Sequence, residues 1–283
     1  MKNTSFQEDG PASLRRGEVY SGYIDGHCHL ADPRPGFDPQ QAIEEAKRAG
    51  VARFLQGGIH PADWERQFTL AARYPTQVFC ACGMHPVWVS QAREYEIAAA
   101  LSALPQELKR AQVRGLGELG LDARPDYRHA LDRQAEVFRA QLRIAQSLDL
   151  PLILHVVREH RLALRILKEE GVPARGGMVH SFSGGASEAK AYVDLGLHLS
   201  VSGGNFQGGD RKVREAAAKV PASSWLLETD APDQKHPDWA GEWSVPARLL
   251  DVARWMGSVL SQKEEAILTD SADRLEKIFK LGS

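Results

Sequence analysis

Long apolar runs are missing from this 283-residue chain. No stretch approaches the roughly 20 consecutive apolar residues that a membrane-spanning helix needs. Cysteine is scarce as well. Cys28, Cys80 and Cys82 are the only three, an odd and small number that excludes a disulfide-framed scaffold in a chain of this size. Charge of one sign is not in excess, with 35 basic residues against 37 acidic ones. That balance excludes an extended nucleic-acid-binding face, while a pocket that holds one end of a strand stays compatible with it. Residues 1–18 are polar and mixed in charge, without the apolar stretch of a secretory leader. We expect a flexible tail there, one domain over residues 19–283, and a cytoplasmic protein.

What the chain does have is alternation. Eight short apolar runs read as strands: Val19–Asp25, Val51–Gly57, Val78–Cys82, Val113–Glu118, Pro151–His155, Gly177–Phe182, Leu197–Ser202 and Trp225–Asp230. Most are unbroken rather than alternating, as parallel strands covered on both faces should be. Helical periodicity lies between them. Leu131, Ala135, Phe138, Leu142 and Ala145 form one stripe within Asp126–Leu150. A second helix, Glu159–Glu170, stops at Gly171 with Pro173 beyond. Near the C-terminus Ser261 and Glu264 have capping-box spacing, followed by an apolar face of Ile267, Leu268, Ala272, Leu275, Ile278 and Phe279. About 30 residues per βα unit fits an α/β (β/α)8 TIM barrel. A doubly wound sheet shares the alternation, so the positions of the polar residues decide between the two.

Five of the runs end in a residue that can ligate a metal. The first ends in Asp25-Gly-His27-Cys-His29, the fourth in Glu118, the fifth in His155, the sixth in His180 and the eighth in Asp230. Barrel strands converge at their C-terminal ends, where barrel active sites are built. His27 and His29, two apart in extended chain, present both imidazoles on one side, with Cys28 pointing outward. A single histidine at a strand end is usually a hydrogen-bonded core residue, and a single aspartate there usually caps the next helix. Six such residues at the same end of five strands are poorly explained by chance.

The ordered motifs Asp25-Gly-His27-Cys-His29-Leu, Gly83-Met-His85-Pro86, Gly117-Glu118-Leu-Gly-Leu-Asp122, Leu154-His155, His180-Ser-Phe-Ser-Gly184 and Glu228-Thr-Asp230-Ala-Pro232 resemble those of the TatD family of metal-dependent deoxyribonucleases, within the amidohydrolase superfamily. The resemblance implies two divalent cations (zinc, manganese or magnesium). His27, His29 and Asp230 hold one, His155 and His180 the other, and Glu118 bridges them. It implies phosphodiester hydrolysis at nucleic-acid ends, DNA rather than RNA, by a water activated between the cations, with Asp230 as its proton acceptor and Glu118 as the second catalytic residue. No membrane and no obligate protein partner is expected.

Other residues join the site as candidates. Glu228, two before Asp230 and one layer deeper, is a carboxylate placed to orient a ligand histidine; a core salt bridge is the alternative. His85, His60 and Arg158 are substrate-binding candidates at the mouth, although His60 could equally be a loop residue and Arg158 a solvated one. Cys80 and Cys82 read as core packing. Val157 and Ser244 stand where relatives often carry arginine and asparagine, and both are expected on the substrate wall. A different reaction on the same scaffold, hydrolysis of a small amide, lactone or phosphoester, also accommodates these residues. A non-catalytic module with structural metals is disfavoured, because structural sites are closed.

Overall fold

A computed structural model of the chain describes residues 22–281; the expected tail, 1–18, and the start of the first run lie outside them. The eight runs are eight strands: β1 Tyr23–Cys28, β2 Val51–Gln56, β3 Val78–Cys82, β4 Val113–Asp122, β5 Leu152–Val157, β6 Gly177–Val179, β7 Leu197–Val201 and β8 Trp225–Leu227. All seven ladders are parallel and run in sequence order, β1 to β8. A helix follows each crossover on the outside, which is the (β/α)8 barrel rather than the doubly wound sheet. Among the described residues no helix is long and apolar enough to cross a membrane.

The joint between β8 and β1 is closed without a regular ladder. Asp230 N–H donates to His27 O at 2.9 Å and His29 N–H to Ala231 O at 2.6 Å. Deeper in the joint, Thr229 donates to the Asp25 carboxylate from its backbone N–H at 2.9 Å and from its hydroxyl. Residues 25, 27, 229 and 230, from opposite ends of the chain, are thereby tied together directly beneath the mouth.

Strand limits differ from the expected ones at β6 and β8. Regular pairing was expected to Phe182 and Asp230 but stops at Val179 and Leu227. Ser181 and Asp230 take left-handed backbone angles, φ +41° and +54°, which no extended strand can hold. His180 and Asp230 therefore sit on the first turn beyond the sheet. Strand β4 runs four residues further than expected, carrying Asp122 into the wall. The helix expected over Asp126–Leu150 is a 3-10 turn, Arg128–Ala130, followed by Leu131–Leu148, which stops where Asp149 turns left-handed.

The barrel interior is plugged from below. Ile24, Leu55, Phe79, Ile153, Met178 and Leu226, from six different strands, form one cluster with Leu275, Ile278 and Phe279 of the last helix, Glu264–Phe279. Side chains from strands all around a barrel can meet only inside it. The whole apolar face expected for this helix is buried. Its start is a correction: Ser261 is the left-handed cap of the preceding helix, Leu249–Leu260, and Glu264 is the first helical residue, with Lys263 before it. The spacing was right for a capping box, but the two residues belong to different helices. Arg53 pairs with Glu276, while Arg114 and Arg175 donate to Lys280 O at 3.0 Å and Ile278 O at 2.6 Å. Cations at a helix C-terminus satisfy carbonyls that have no intrahelical partner.

Leu275 is fully buried in this plug. Leu275→Ala should cost about 2–5 kcal/mol of stability, read as a lower urea midpoint with an unchanged slope; a midpoint equal to wild type would show that the plug does not hold the barrel.

Candidate metal centre

Four donor atoms converge at the top of the barrel. His29 Nε2 lies 3.3 Å from Glu118 Oε1 and 3.4 Å from Asp230 Oδ1; His27 Nε2 lies 3.7 and 3.5 Å from the same two oxygens. Two donors that bind one ion tetrahedrally at about 2.1 Å stand roughly 3.4 Å apart, so these four spacings suit donors that share one ion. Three of the four atoms are also orphaned. Both ring nitrogens of His27, Glu118 Oε1 and Asp230 Oδ1 are buried without a hydrogen-bond partner among the described residues. Native proteins rarely leave buried polar atoms unpaired, and the cation these donors suit would pair them.

The other carboxylate oxygen of Glu118 faces a second set. Its Oε2 is 2.8 Å from His180 Nε2, 3.5 Å from His155 Nδ1 and 3.7 Å from His85 Nε2, and the His155 and His180 nitrogens are 3.0 Å apart. Three groups can therefore offer atoms to an ion: His27, His29 and Asp230; His27, Glu118 and His180; and His85, Glu118 and His155. Imidazole and carboxylate together suit zinc or manganese by donor type.

Ionisation follows from burial and crowding. Burial opposes charge on Glu118, yet the surrounding imidazoles, His180 first, hold its carboxyl well below the ordinary range. Burial and the neighbouring His180 push His27 well down, towards the neutral form a ligand needs. His29 goes the other way: burial lowers it, but Asp230 and Glu118 outweigh that and bring it up to about 10. Burial likewise drives Asp25 up to about 8, with the Thr229 hydrogen bonds working against it.

A carboxylate stands behind each of two ring nitrogens. Glu228 Oε1 is 3.6 Å from His180 Nδ1 and also accepts from Ser181 N–H at 2.7 Å; its other oxygen accepts from Ser200 Oγ. Asp122 Oδ2 is 3.1 Å from His155 Nε2, which leaves Nδ1 of that ring to face Glu118. Asp122 closes the Gly117–Asp122 motif, but its role depends on β4 extending past Glu118, which no local pattern in the sequence marks. Gly57 is a second omission. A Cβ at this position would come within 2.1 Å of His27 Cε1 and 3.0 Å of Glu118 Oε1. The absence of a side chain there makes the room for His27.

The remaining candidates are scattered. The site opens into a cavity of about 790 Å³ whose lining includes His85, Arg124, Val157, Asn205 and Lys235. His60 and Arg158 are not in that lining. His60 precedes the helix Pro61–Arg73 with its ring beside Trp88, and Arg158 is exposed at φ +64°. Arg124, held to Asp122, is the arginine on the wall. Val157 lines the cavity as expected, but Ser244 does not. It is fully buried, with its hydroxyl donating to Thr229 O at 3.3 Å. Cys28, Cys80 and Cys82 are all buried in the core between strands and helices.

Fold and donor set together fit one class, the metal-dependent hydrolases built on a barrel whose mouth presents clustered imidazoles and carboxylates. The family described as TatD related DNase matches residues 24–280, and the chain belongs to that family. The uncharacterized metal-dependent hydrolase YjjV of Escherichia coli K12 is 34% identical over 230 residues, 81% of this chain and 87% of its own. Its crystal structure, described as a TatD homologue, superposes with a TM-score of 0.84 at 30% identity, covering 93% of this chain and 99% of that one. The 3'-5' ssDNA/RNA exonuclease TatD of Erwinia tasmaniensis is 31% identical over 196 residues, 69% of this chain and 74% of its own.

Two outcomes test the geometry. Gly57→Ala should displace His27 and lower the number or affinity of bound cations, read by elemental analysis and competition with a chromogenic chelator; wild-type loading would sink the idea. His29 is raised to about 10, so in cation-free protein it carries a proton at pH 7.5. Cation uptake must displace that proton. Affinity should therefore fall as pH drops, and calorimetric enthalpy should vary with the ionisation enthalpy of the buffer.

Proposed function

We propose that the protein is a phosphodiesterase that uses two divalent cations to trim nucleic-acid ends, DNA ahead of RNA. The observation that carries this reading is Glu118. Its two oxygens face two separate donor sets, His27 with His29 on one side and His155 with His180 on the other. That is the position of a bridging carboxylate. Asp230 joins the first set, and its left-handed backbone holds the carboxylate at the strand end, facing the cavity. When bound, divalent cations supply Lewis acidity and lower the pKa of a water towards neutrality.

The chain's own groups do the rest. Asp230 is the carboxylate placed to take a proton from the attacking water. His85 Nδ1 accepts from Val87 N–H at 3.1 Å, so in the neutral ring the proton sits on Nε2. That N–H is turned to the centre and donates to a phosphoryl oxygen. Asp122 fixes the orientation of the His155 ring, and the Glu228 carboxylate faces His180 Nδ1 at 3.6 Å. Lys235 and Arg124 add fixed positive charge to the wall. The Erwinia relative is a 3'-5' ssDNA/RNA exonuclease, which supports the same substrate class.

The near-even charge balance, 35 against 37, favours a second reading, a hydrolase of a small amide, lactone or phosphoester. End-labelled single-stranded DNA with added Mg2+, Mn2+ or Zn2+ separates the two. Trimming should require the cation and fall roughly 10²-fold or more in Asp230→Asn. Equal trimming by both proteins would sink the assignment of Asp230, and no trimming by cation-loaded wild type would move the reading to a small substrate. Chelation should abolish activity while leaving the far-ultraviolet circular dichroism intact; loss of the fold would mark the metals as structural.

A further inference from the structure

Two turns at the mouth share one plan. Three residues beyond His29, the Asp32 N–H donates back to His29 O at 3.0 Å; three beyond Asp230, the Asp233 N–H donates to Asp230 O at 2.8 Å. Each turn thus hangs from a residue of the first donor set. The two turns follow β1 and β8, the strands whose joint has no regular ladder.

One side chain spans them. Arg34 donates from Nε and Nη2 to the Asp32 carboxylate, both at 2.8 Å. From Nη1 and Nη2 it donates to the Asp233 carboxylate, at 2.9 and 3.0 Å. Two edges of the planar guanidinium are engaged as forks, a geometry that lysine cannot reproduce. The Arg34 backbone N–H also donates to Asp32, at 2.8 Å. The guanidinium lies over the Trp243 ring, 5.0 Å from its centroid. Pro33 and Pro35 flank Arg34 and each fixes one backbone angle of the loop. Asp233 is in the lining of the metal-centre cavity and Arg34 is not, so the arginine stands behind the wall.

Charge explains what this bridge does. Without Arg34, Asp32 and Asp233 would be two like charges that push the turns apart. With it, the turns are drawn together, and His29 Nε2 and Asp230 Oδ1 stand 3.4 Å apart, the separation that two donors to one ion require. We propose that Arg34 is a positioning residue for the first cation: it clasps the two turns and so holds His29 and Asp230 at ligand spacing. The inference rests on the two-cation reading above and does not depend on the substrate.

The test turns on sign. A fixed positive charge repels a metal ion, so charge alone predicts tighter cation binding in Arg34→Met. The clasp predicts weaker binding. Zn2+ affinity is read by competition with a chromogenic chelator at pH 7.5 and constant ionic strength. Arg34→Met should weaken at least one Zn2+ by about tenfold or more, the size typical of groups that orient metal ligands. Arg34→Lys keeps the charge but not the double fork, and its affinity should fall between the two. A cooperative urea transition of each cation-free variant shows that the barrel is folded when affinity is read. Arg34→Lys keeps the test open should Arg34→Met not fold. Zn2+ affinity in Arg34→Met equal to wild type or higher overturns the clasp and leaves the two-cation reading standing. Wild-type affinity in Arg34→Lys overturns it too, since the forks would then be idle. Wild type that takes up no Zn2+ overturns the two-cation reading itself, and the role of Arg34 with it.

Discussion

The electrostatics of one carboxylate organise the mouth of this barrel. Glu118 is buried to 1% exposure and cannot keep its charge there without compensation. Imidazoles from β1, from the ends of β3 and β5, and from the turn after β6 surround it. His29 and His180 are pushed towards the charged form and His27 and His85 towards the neutral one, and a bound cation displaces the protons its ligands carry. The interior that holds Glu118 thus holds a set of groups whose mutual charge is balanced only when protons or metal ions sit among them. Gly57 supports the arrangement by its lack of a side chain, and the joint between β8 and β1 holds Asp230 to it.

The two ends of the barrel answer opposite demands. Below, the last helix seals an apolar cluster, and three arginines satisfy its final turn. Above, the backbone leaves the sheet through left-handed residues at Ser181 and Asp230, a conformation that costs energy in non-glycine residues. Burial in the lower half and in the helix layer stabilises the fold enough to tolerate that cost and a crowd of unpartnered polar atoms. A stable base under a strained, charged rim is what lets loops at the mouth differ without loss of the scaffold.

Much of this was legible before any coordinates. Eight apolar runs separated by helical stripes specify alternating buried strands and helices, because each run is short and each stripe has one face to bury; the ligand residues at the ends of the runs point to the barrel rather than the doubly wound sheet. His27, His29, Glu118, His155, His180 and Asp230 were legible because each ends such a run. Asp122 and Gly57 were not. The first depends on how far β4 extends, and the second on a His27 ring contact across two strands. His60 and Arg158 have the right chemistry at nearly the right positions but lie outside the cavity lining, His60 on extended backbone beside Trp88 and Arg158 at a left-handed residue.

The sequence by itself determined periodicity, and so the order of strands and the residue type at the end of each. These are local properties, set by which side chains must leave water and by the two-residue repeat of extended chain. Only the tertiary structure decided which oxygen of Glu118 faces which histidines, which nitrogens lack partners, and that Ser244 lies buried while Val157 lines the cavity. Those facts are distances between residues far apart in the chain. They exist only once the barrel has closed, because closure brings β8 against β1 and makes one mouth out of eight strand ends.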